Sequence, residues 1–321
     1  MILLTGGTGF VGRHLVLQFV AEGHRVRVLS RNPGRIGLPD GAAWVQGDLT
    51  DAASLQPAMS DIDTVVHAGA VLRGGSPTDP ALEQVNIGGT SVLARLARDA
   101  GVRRFIHISS AGVYGDGSTT TPHRETDIPK PVSPYEKSKL FAEHTLIDAL
   151  EGSNVSWTIL RPQGLYGSER PATAEFFRLV AQKRIWLHGP ANVIVHPTHI
   201  TDLVSAVGLV LAHTGLHGEA VNIGGARSLD YRELIALTGA QLGHIPRQFC
   251  APRWTAQMAA MVSRIWRSVG TPPARLDRLS RTVINRAVDI EKARRLLGFD
   301  PIPLGAGLEQ TAMEIRRNRA R

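Results

Sequence analysis

The sequence predicts an α/β protein on a doubly wound parallel sheet, with a smaller region interleaved after residue 162. Three observations predict it. Short apolar runs alternate with helical patterns through the first half of the 321-residue chain. The runs are apolar at successive positions, as strands covered by helices on both faces are. Glycines 6, 9 and 12 stand where the first strand turns into the first helix.

The elements follow in order. Ile2–Thr5 reads as strand one. Gly9–Ala21 carries Val11, Leu15 and Phe19 at helical spacing. Arg25–Ser30 reads as strand two, Ala43–Gln46 as strand three, Asp51–Met59 as a short helix and Ile62–His67 as strand four. Ala81–Ala100 reads as one long helix closed by Gly101, and Arg104–Ser109 as strand five. Ser133–Leu150 is a helix whose start is written locally: Ser133 caps it, Pro134 occupies its first position and Glu136 completes a capping box. Val155–Leu160 is strand six. Helices are expected at Glu175–Gln182, Thr201–Ala212, Tyr231–Leu242, Trp254–Trp266 and Leu308–Arg319, with strand material at Ile185–Val195 and Ala220–Ile223. Residues 1–162 are therefore expected to form a dinucleotide-binding domain, to which 199–225 return. Residues 163–198 and 226–321 are expected to form the substrate region.

Composition narrows the classes. Hydrophobic residues make up 43% and charged residues 20%, ordinary for a globular chain. The single Cys250 makes no internal disulfide and no zinc site by itself, so a cytoplasmic setting is expected. The longest apolar run, Leu203–Ala212, falls short of the roughly 18 residues of a membrane span. The N-terminus lacks the basic start of a signal peptide and runs into glycines after five residues. The net charge of +8 comes entirely from the segment beyond residue 250, where 14 Lys/Arg face 6 Asp/Glu. At 5% aromatic and with no groove-reading motif, nucleic acid is not the expected partner. A solvated basic region, an anionic substrate or an anionic membrane surface are the readings of this charge.

The glycine loop carries the first chemistry. Thr5-Gly6-Gly7-Thr8-Gly9-Phe10-Val11-Gly12 gives a tight turn at Gly6, a backbone open to a pyrophosphate at Gly9 and close helix–strand packing at Gly12. The end of strand two selects the dinucleotide. An acid there would bond ribose hydroxyls and repel a 2′-phosphate. Here stand Ser30, a hydrogen-bond donor, and Arg31, a planar phosphate fork, so NADP is read over NAD. Asp48, followed by Leu49, either accepts an adenine amino group or serves as a turn aspartate.

Together these pieces resemble the extended branch of the short-chain dehydrogenase/reductase superfamily, the NAD(P)-dependent epimerase/dehydratase-like enzymes with an NAD(P)-binding Rossmann fold. The matching residues are the Thr5–Gly12 loop, Gly47-Asp48-Leu49, His67-Ala68-Gly69-Ala70, Asn86-Ile87-Gly88-Gly89-Thr90, Ser109–Gly115, Tyr135-Glu136-Lys137-Ser138-Lys139, Leu160-Arg161-Pro162 with Tyr166-Gly167, His199-Ile200-Thr201-Asp202 and Asn222-Ile223-Gly224. The resemblance implies a catalytic set of Tyr135 as acid/base, Lys139 as its partner and Ser110, four residues before Tyr114, holding the substrate oxygen. Tyr114 is placed with Ser110 and Tyr135 on the substrate side. Ala68, Gly69 and Ala70 would pass beside the cofactor and Pro162 would line the nicotinamide.

The chemistry also stands on the residues. Tyr135 and Lys139 are i and i+4, on one helix face. A nearby ammonium is expected to lower the phenol's pKa, and Ser110 to bond a carbonyl oxygen as charge develops. Dehydratases of the family carry an Asp-Glu pair after the catalytic serine or threonine, where this chain has Ala111 and Gly112. With Ser30-Arg31, this gives the expected function: hydride transfer between NADP(H) and a ketone or secondary alcohol. The alternatives are a nucleotide-sugar epimerase or reductase, with Arg178, Arg227 and Arg286 as candidate phosphate ligands, and a non-catalytic NADP-binding regulator. Trp254, Met258, Met261, Val262 and Ile265 form an apolar stripe, read as a core face or a wall of a hydrophobic substrate pocket. His188, His196 and His199 lack metal spacing, so no metal is expected. A homodimer through the 81–100 and 133–150 helices is the family's implication.

Overall fold

The computed structural model describes residues 1–34, 36–72, 80–115, 121–187, 193–213, 215–252 and 285–320, and between the last two ranges residues 254, 255, 258, 261, 262, 265 and 266. Strands β1 (Ile2–Thr5), β2 (Val26–Ser30), β3 (Ala42–Gln46), β4 (Thr64–His67), β5 (Arg104–Ile108) and β6 (Ser156–Pro162) come first. Then follow β7 (Leu165–Tyr166), β8 (Arg184–Leu187), β9 (Ile194–Val195), β10 (Thr198–His199), β11 (Glu219–Ile223), β12 (Leu229–Asp230) and β13 (Arg247–Cys250). Seven of them form one parallel sheet in the order β11-β6-β5-β4-β1-β2-β3. The expected doubly wound α/β sheet is thus the observed one.

Period-two alternation divides the strand residues between two cores. Leu4, Val28, Val66, Ile106 and Leu160 face one layer. Leu3, Leu29, Val65, Phe105 and Ile159 face the other. Helices α1 (Phe10–Ala21) and α6 (Ile200–Ala212) cover the first through Leu15, Phe19, Leu203 and Val207. Helices α3 (Gly89–Asp99) and α4 (Pro134–Leu150) cover the second through Leu93, Ala97 and Leu146, with the short α2 (Ala52–Leu55) beside them. Burying each large aliphatic side chain this way contributes about 1.5–3 kcal/mol. A third cluster joins Phe177 of α5 (Pro171–Val180), Leu234 of α7 (Tyr231–Gln241) and Leu308 of the last helix, apart from the sheet.

The departures from expectation have local causes. The 81–100 helix carries a π-helical turn, Leu82–Gly88, and within it Asn86 bonds the chain at Val71 and the side chain of Ser138. α8 (Glu291–Leu297) was not expected; it ends at Gly298, whose φ is 64°. The last helix, α9 (Leu304–Ala320), begins directly after Pro303, earlier than the apolar period suggests. The described residues of the 254–266 segment are helical, as expected. The expectation of a core or pocket-wall face is not met there: the large apolar side chains among them are exposed.

Candidate active site

The strand order reverses between β1 and β4, and a crevice at the carboxyl ends of these strands is where such sheets take ligands. Gly6 has φ +72°, and a Cβ there would lie 2.7 Å from the carbonyl carbon of Ala68, so the two strand ends meet through bare backbone. A Cβ on Gly12 would collide with the Gly6 carbonyl. Gly9 is the N-cap of α1, with no side-chain cap and no acid in the first turn. Such an uncapped end presents amide donors and a partial positive charge, which suits a dinucleotide pyrophosphate. Thr8, Phe10 and Val11 are half-buried around it. Thr5 Oγ1 ties the cradle to the next strand, bonding His67 Nδ1 at 2.6 Å and accepting from the Gly69 amide at 3.0 Å, which sets Ala68, Gly69 and Ala70 beside the loop.

At the end of β2, Ser30 Oγ accepts from the Asn32 amide at 3.2 Å and Arg31 is exposed. Asp48 Oδ1 accepts from both the amide and the hydroxyl of Thr50 at 2.9 Å, which braces the turn. The Thr50 amide holds the Asp48 carboxyl below its ordinary pKa against desolvation, with the Thr50 hydroxyl and Arg31 adding to it. Leu49 is buried, in van der Waals reach of Gly69. Pro162 is buried at the end of β6, paired with Ile223.

Ser110 lies two residues beyond β5 and caps the turn Ala111–Tyr114, accepting from the Gly112 amide at 3.1 Å. That turn lies against α4, since a Cβ on Gly112 would meet Glu136 at 2.9 Å. The α4 capping box forms as its residues dictate, with Ser133 Oγ accepting from the Glu136 amide and Glu136 Oε2 from the Ser133 amide. It presents Tyr135, half-buried, one turn before Lys139, fully buried. Lys139 Nζ donates to the Ile108 carbonyl at 2.8 Å and lies 3.2 Å from His107 Nε2. Burial lowers its pKa to about 8, against the pull of Glu143.

Two expectations need correction. The Lys139 ammonium does not lower the Tyr135 phenol. Desolvation pushes the phenol up to about 12, Arg170 opposes that shift and Glu136 adds to it. The reason is direction: Lys139 points into β5. Tyr114 does not face a substrate either. It is 3% exposed, its hydroxyl donates to Asn222 Oδ1 at 2.8 Å and accepts from Arg161 Nη1 at 2.9 Å, and its ring stacks on His123.

Sequence reasoning missed the residues behind the site. Glu143, Arg161 and Ser109 form a buried cluster: Arg161 meets Glu143 with two nitrogens, at 2.6 and 3.1 Å, and Ser109 Oγ donates to Glu143 at 2.5 Å. The two adjacent serines thus divide: Ser109 bonds the buried Glu143, and the half-buried Ser110 caps the turn that follows. The signal was present, because Tyr135, Lys139 and Glu143 run i, i+4, i+8 on one helix face. Arg170, donating to the Leu165 carbonyl, was missed because only the fold brings it near Tyr135. Of the candidate phosphate ligands, Arg227 pairs with Glu233, Arg286 with Glu136, and Arg178 is exposed and bonds its own helix. His196 bonds the Gly225 carbonyl and His199 caps α6. His188 lies outside the described residues. Among those residues no group of His, Cys, Asp and Glu has a metal-binding arrangement, and no helix is long and apolar enough to cross a membrane.

A parallel sheet with a phosphate cradle at its switch point and a Tyr-x-x-x-Lys helix beside it defines an enzyme of the short-chain dehydrogenase/reductase class. The chain belongs to the NAD dependent epimerase/dehydratase family, whose model matches residues 2–224. It is 28% identical to a 4-hydroxy-2-methyl-3-oxo-4-farnesyl-3,4-dihydroquinoline-1-oxide ketoreductase of Stigmatella aurantiaca, over 92% of this chain and 90% of that protein. It is also 28% identical to a 3 beta-hydroxysteroid dehydrogenase/Delta 5-->4-isomerase of Mycobacterium tuberculosis, over 94% and 86%. Among solved structures, MoeE5 in complex with UDP-glucuronic acid and NAD is 25% identical, with a TM-score of 0.75 over 99% of each chain.

Proposed function

We propose that this enzyme transfers hydride between NADP(H) and a ketone or secondary alcohol on a hydrophobic small molecule, in a cytoplasmic setting. Residues 1–162 with 199–225 serve the cofactor, and 163–198 with 226–321 the substrate. The observation that carries the reading is the cationic end of β2, Ser30-Arg31, which stands where an NAD-selective acid would be. Ala111-Gly112 in place of an acidic pair and two relatives named for ketone and hydroxysteroid chemistry support it.

Gly6, Thr8, Gly9, Phe10, Val11 and Gly12 hold the pyrophosphate, Ser30 and Arg31 the 2′-phosphate, and Asp48, Leu49, Ala68, Gly69, Ala70 and Pro162 the flanking rings. Tyr135 and Lys139 hold the ribose. The bound dinucleotide supplies or accepts the hydride. Tyr135, with its phenol held protonated at neutral pH by burial, gives its proton to the carbonyl oxygen as that oxygen gains charge. Ser110 donates a hydrogen bond to the same oxygen and stabilises the charge it gains.

The test is a fluorescence titration of the purified enzyme with NADPH and NADH, after identifying what it carries as isolated, followed by assay of Tyr135→Phe. About tenfold tighter NADPH binding and a loss of ketone reduction of about 100-fold or more in Tyr135→Phe, with cofactor binding retained, are expected. Tightly retained NAD would instead favour the second reading, a nucleotide-sugar epimerase. The NAD and UDP-glucuronic acid named with MoeE5 support that reading.

A further inference from the structure

One stretch of the sequence is charged unlike the rest. From residue 234 to residue 276 the sequence contains no Asp or Glu, while Arg247, Arg253, Arg264, Arg267 and Arg275 fall inside it. Within this stretch Trp254 is 63% exposed, Met258 48%, Met261 53% and Trp266 45%. These residues are helical, and Trp254, Met258, Met261, Val262 and Ile265 recur at i, i+4, i+7, i+8 and i+11, one face of a helix. Just upstream, the exposed Trp186 of β8 stacks on Phe249 of β13, with ring centroids 5.0 Å apart. Ile245 is exposed too, and Lys183, Arg184 and Arg247 are the exposed charges of this strand pair.

Monomeric proteins rarely leave a contiguous apolar stripe of this kind in water. We propose that Trp254, Met258, Met261 and Trp266, with the Trp186–Phe249 pair before them, form a peripheral docking surface for an anionic phospholipid bilayer. Charge chooses the occupant. A second copy of this chain would bring like charges together with no carboxylate in the stretch to pair them, which disfavours self-association. Nucleic acid would match the arginines but not a stripe of methionine, valine and isoleucine. A bilayer interface matches both features: indole rings settle at headgroup level, aliphatic side chains enter the acyl boundary and arginines meet lipid phosphates. At about 1.5 Å per residue a helical stripe of this length reaches about 18 Å, enough to lie in the interface plane and far too short to cross it. This surface chemistry does not depend on which substrate the enzyme takes.

The test is co-sedimentation of the full-length enzyme with vesicles of phosphatidylcholine alone and of phosphatidylcholine mixed with phosphatidylglycerol. Binding is expected on the mixed vesicles, about tenfold or more above phosphatidylcholine alone, and to fall as salt rises. The triple variant Trp254→Ser, Met258→Ser, Met261→Ser is expected to lose about tenfold or more of that binding while NADPH binding stays at the parental level. Arg247→Gln, which removes an exposed cation of β13, is expected to weaken vesicle binding about fivefold. Equal sedimentation with both vesicle types, or a triple variant that binds as the parent does, overturns the proposal. So does a parental dimer by light scattering that the triple variant turns into a monomer without any lipid binding, which would make the face a contact between copies.

Discussion

Nζ of Lys139 lies 3.2 Å from Nε2 of His107 and 2.8 Å from the carbonyl oxygen of Ile108, so the lysine of the Tyr-x-x-x-Lys pair is anchored from beneath by β5. Burial drives His107 far below its ordinary pKa, with Lys139 and His67 adding to the shift, so the ring is neutral. A neutral ring nitrogen accepts a hydrogen bond from the ammonium, whose pKa desolvation lowers to about 8 against the pull of Glu143. His107→Leu removes that acceptor. The ammonium then loses a charge-assisted bond, and its pKa falls further by about one unit. The alkaline limb of kcat/KM against pH should move to lower pH by that amount, and His107→Gln should restore part of it. An unmoved limb in the leucine variant would show that Ile108 alone holds the lysine.

Arg31 tests cofactor choice. It is exposed, so its attraction for a 2′-phosphate is screened but not lost. Arg31→Ala should weaken NADPH binding about tenfold, the worth of one charge-assisted pair, and leave NADH binding within about twofold. Equal losses for both dinucleotides would mean that Arg31 packs on the adenine without reading the phosphate.

Glu143 and Arg161 test the support behind the site. Arg161 is 7% exposed, and Glu143 is its only carboxylate partner among the described residues. Glu143→Gln leaves a buried guanidinium uncompensated, which costs about 3–5 kcal/mol in urea unfolding. The double variant Glu143→Leu, Arg161→Met removes both charges and should recover much of that loss. If the single variant costs under about 1 kcal/mol, water reaches the pair and the cluster is not a rigid support.

What could be read in the sequence was what is local. The start of α4 was legible because Ser133, Pro134 and Glu136 act on amides within three residues. The sheet was legible because strands buried on both faces must be apolar throughout. The placement of Tyr114 was not, since its partners Arg161 and Asn222 lie 47 and 108 residues away. Nor was the direction of Lys139: i, i+4 spacing fixes a shared helix face but not whether the ammonium points to Tyr135 or into β5. The 254–266 stripe shows the same limit. Periodicity gives a helix an apolar face without saying what the face meets.

His67 links the site to stability against acid. It is 1% exposed, held between Thr5 at 2.6 Å and Thr90 at 2.9 Å, and desolvation, with Lys139 adding, lowers its pKa to about 3. An unfolded histidine titrates near 6.5. Between those values the unfolded chain binds a proton that the folded chain refuses, so stability rises with pH across the window and falls as the solution is acidified. From about pH 7 to about pH 5 this one residue should remove about 2 kcal/mol. His67→Gln carries no proton in either state and keeps a polar side chain between the two threonines. Its urea-unfolding free energy should therefore fall by about 2 kcal/mol less than the parent's over the same range. His107 and His199, also shifted downward by burial, keep a residual slope in both proteins, so the readout is the difference between variant and parent. Parallel pH profiles would mean that His67 takes up its proton in the folded state. The Thr5–His67–Thr90 chain would then be a hydrated site and not a dry brace under the phosphate cradle.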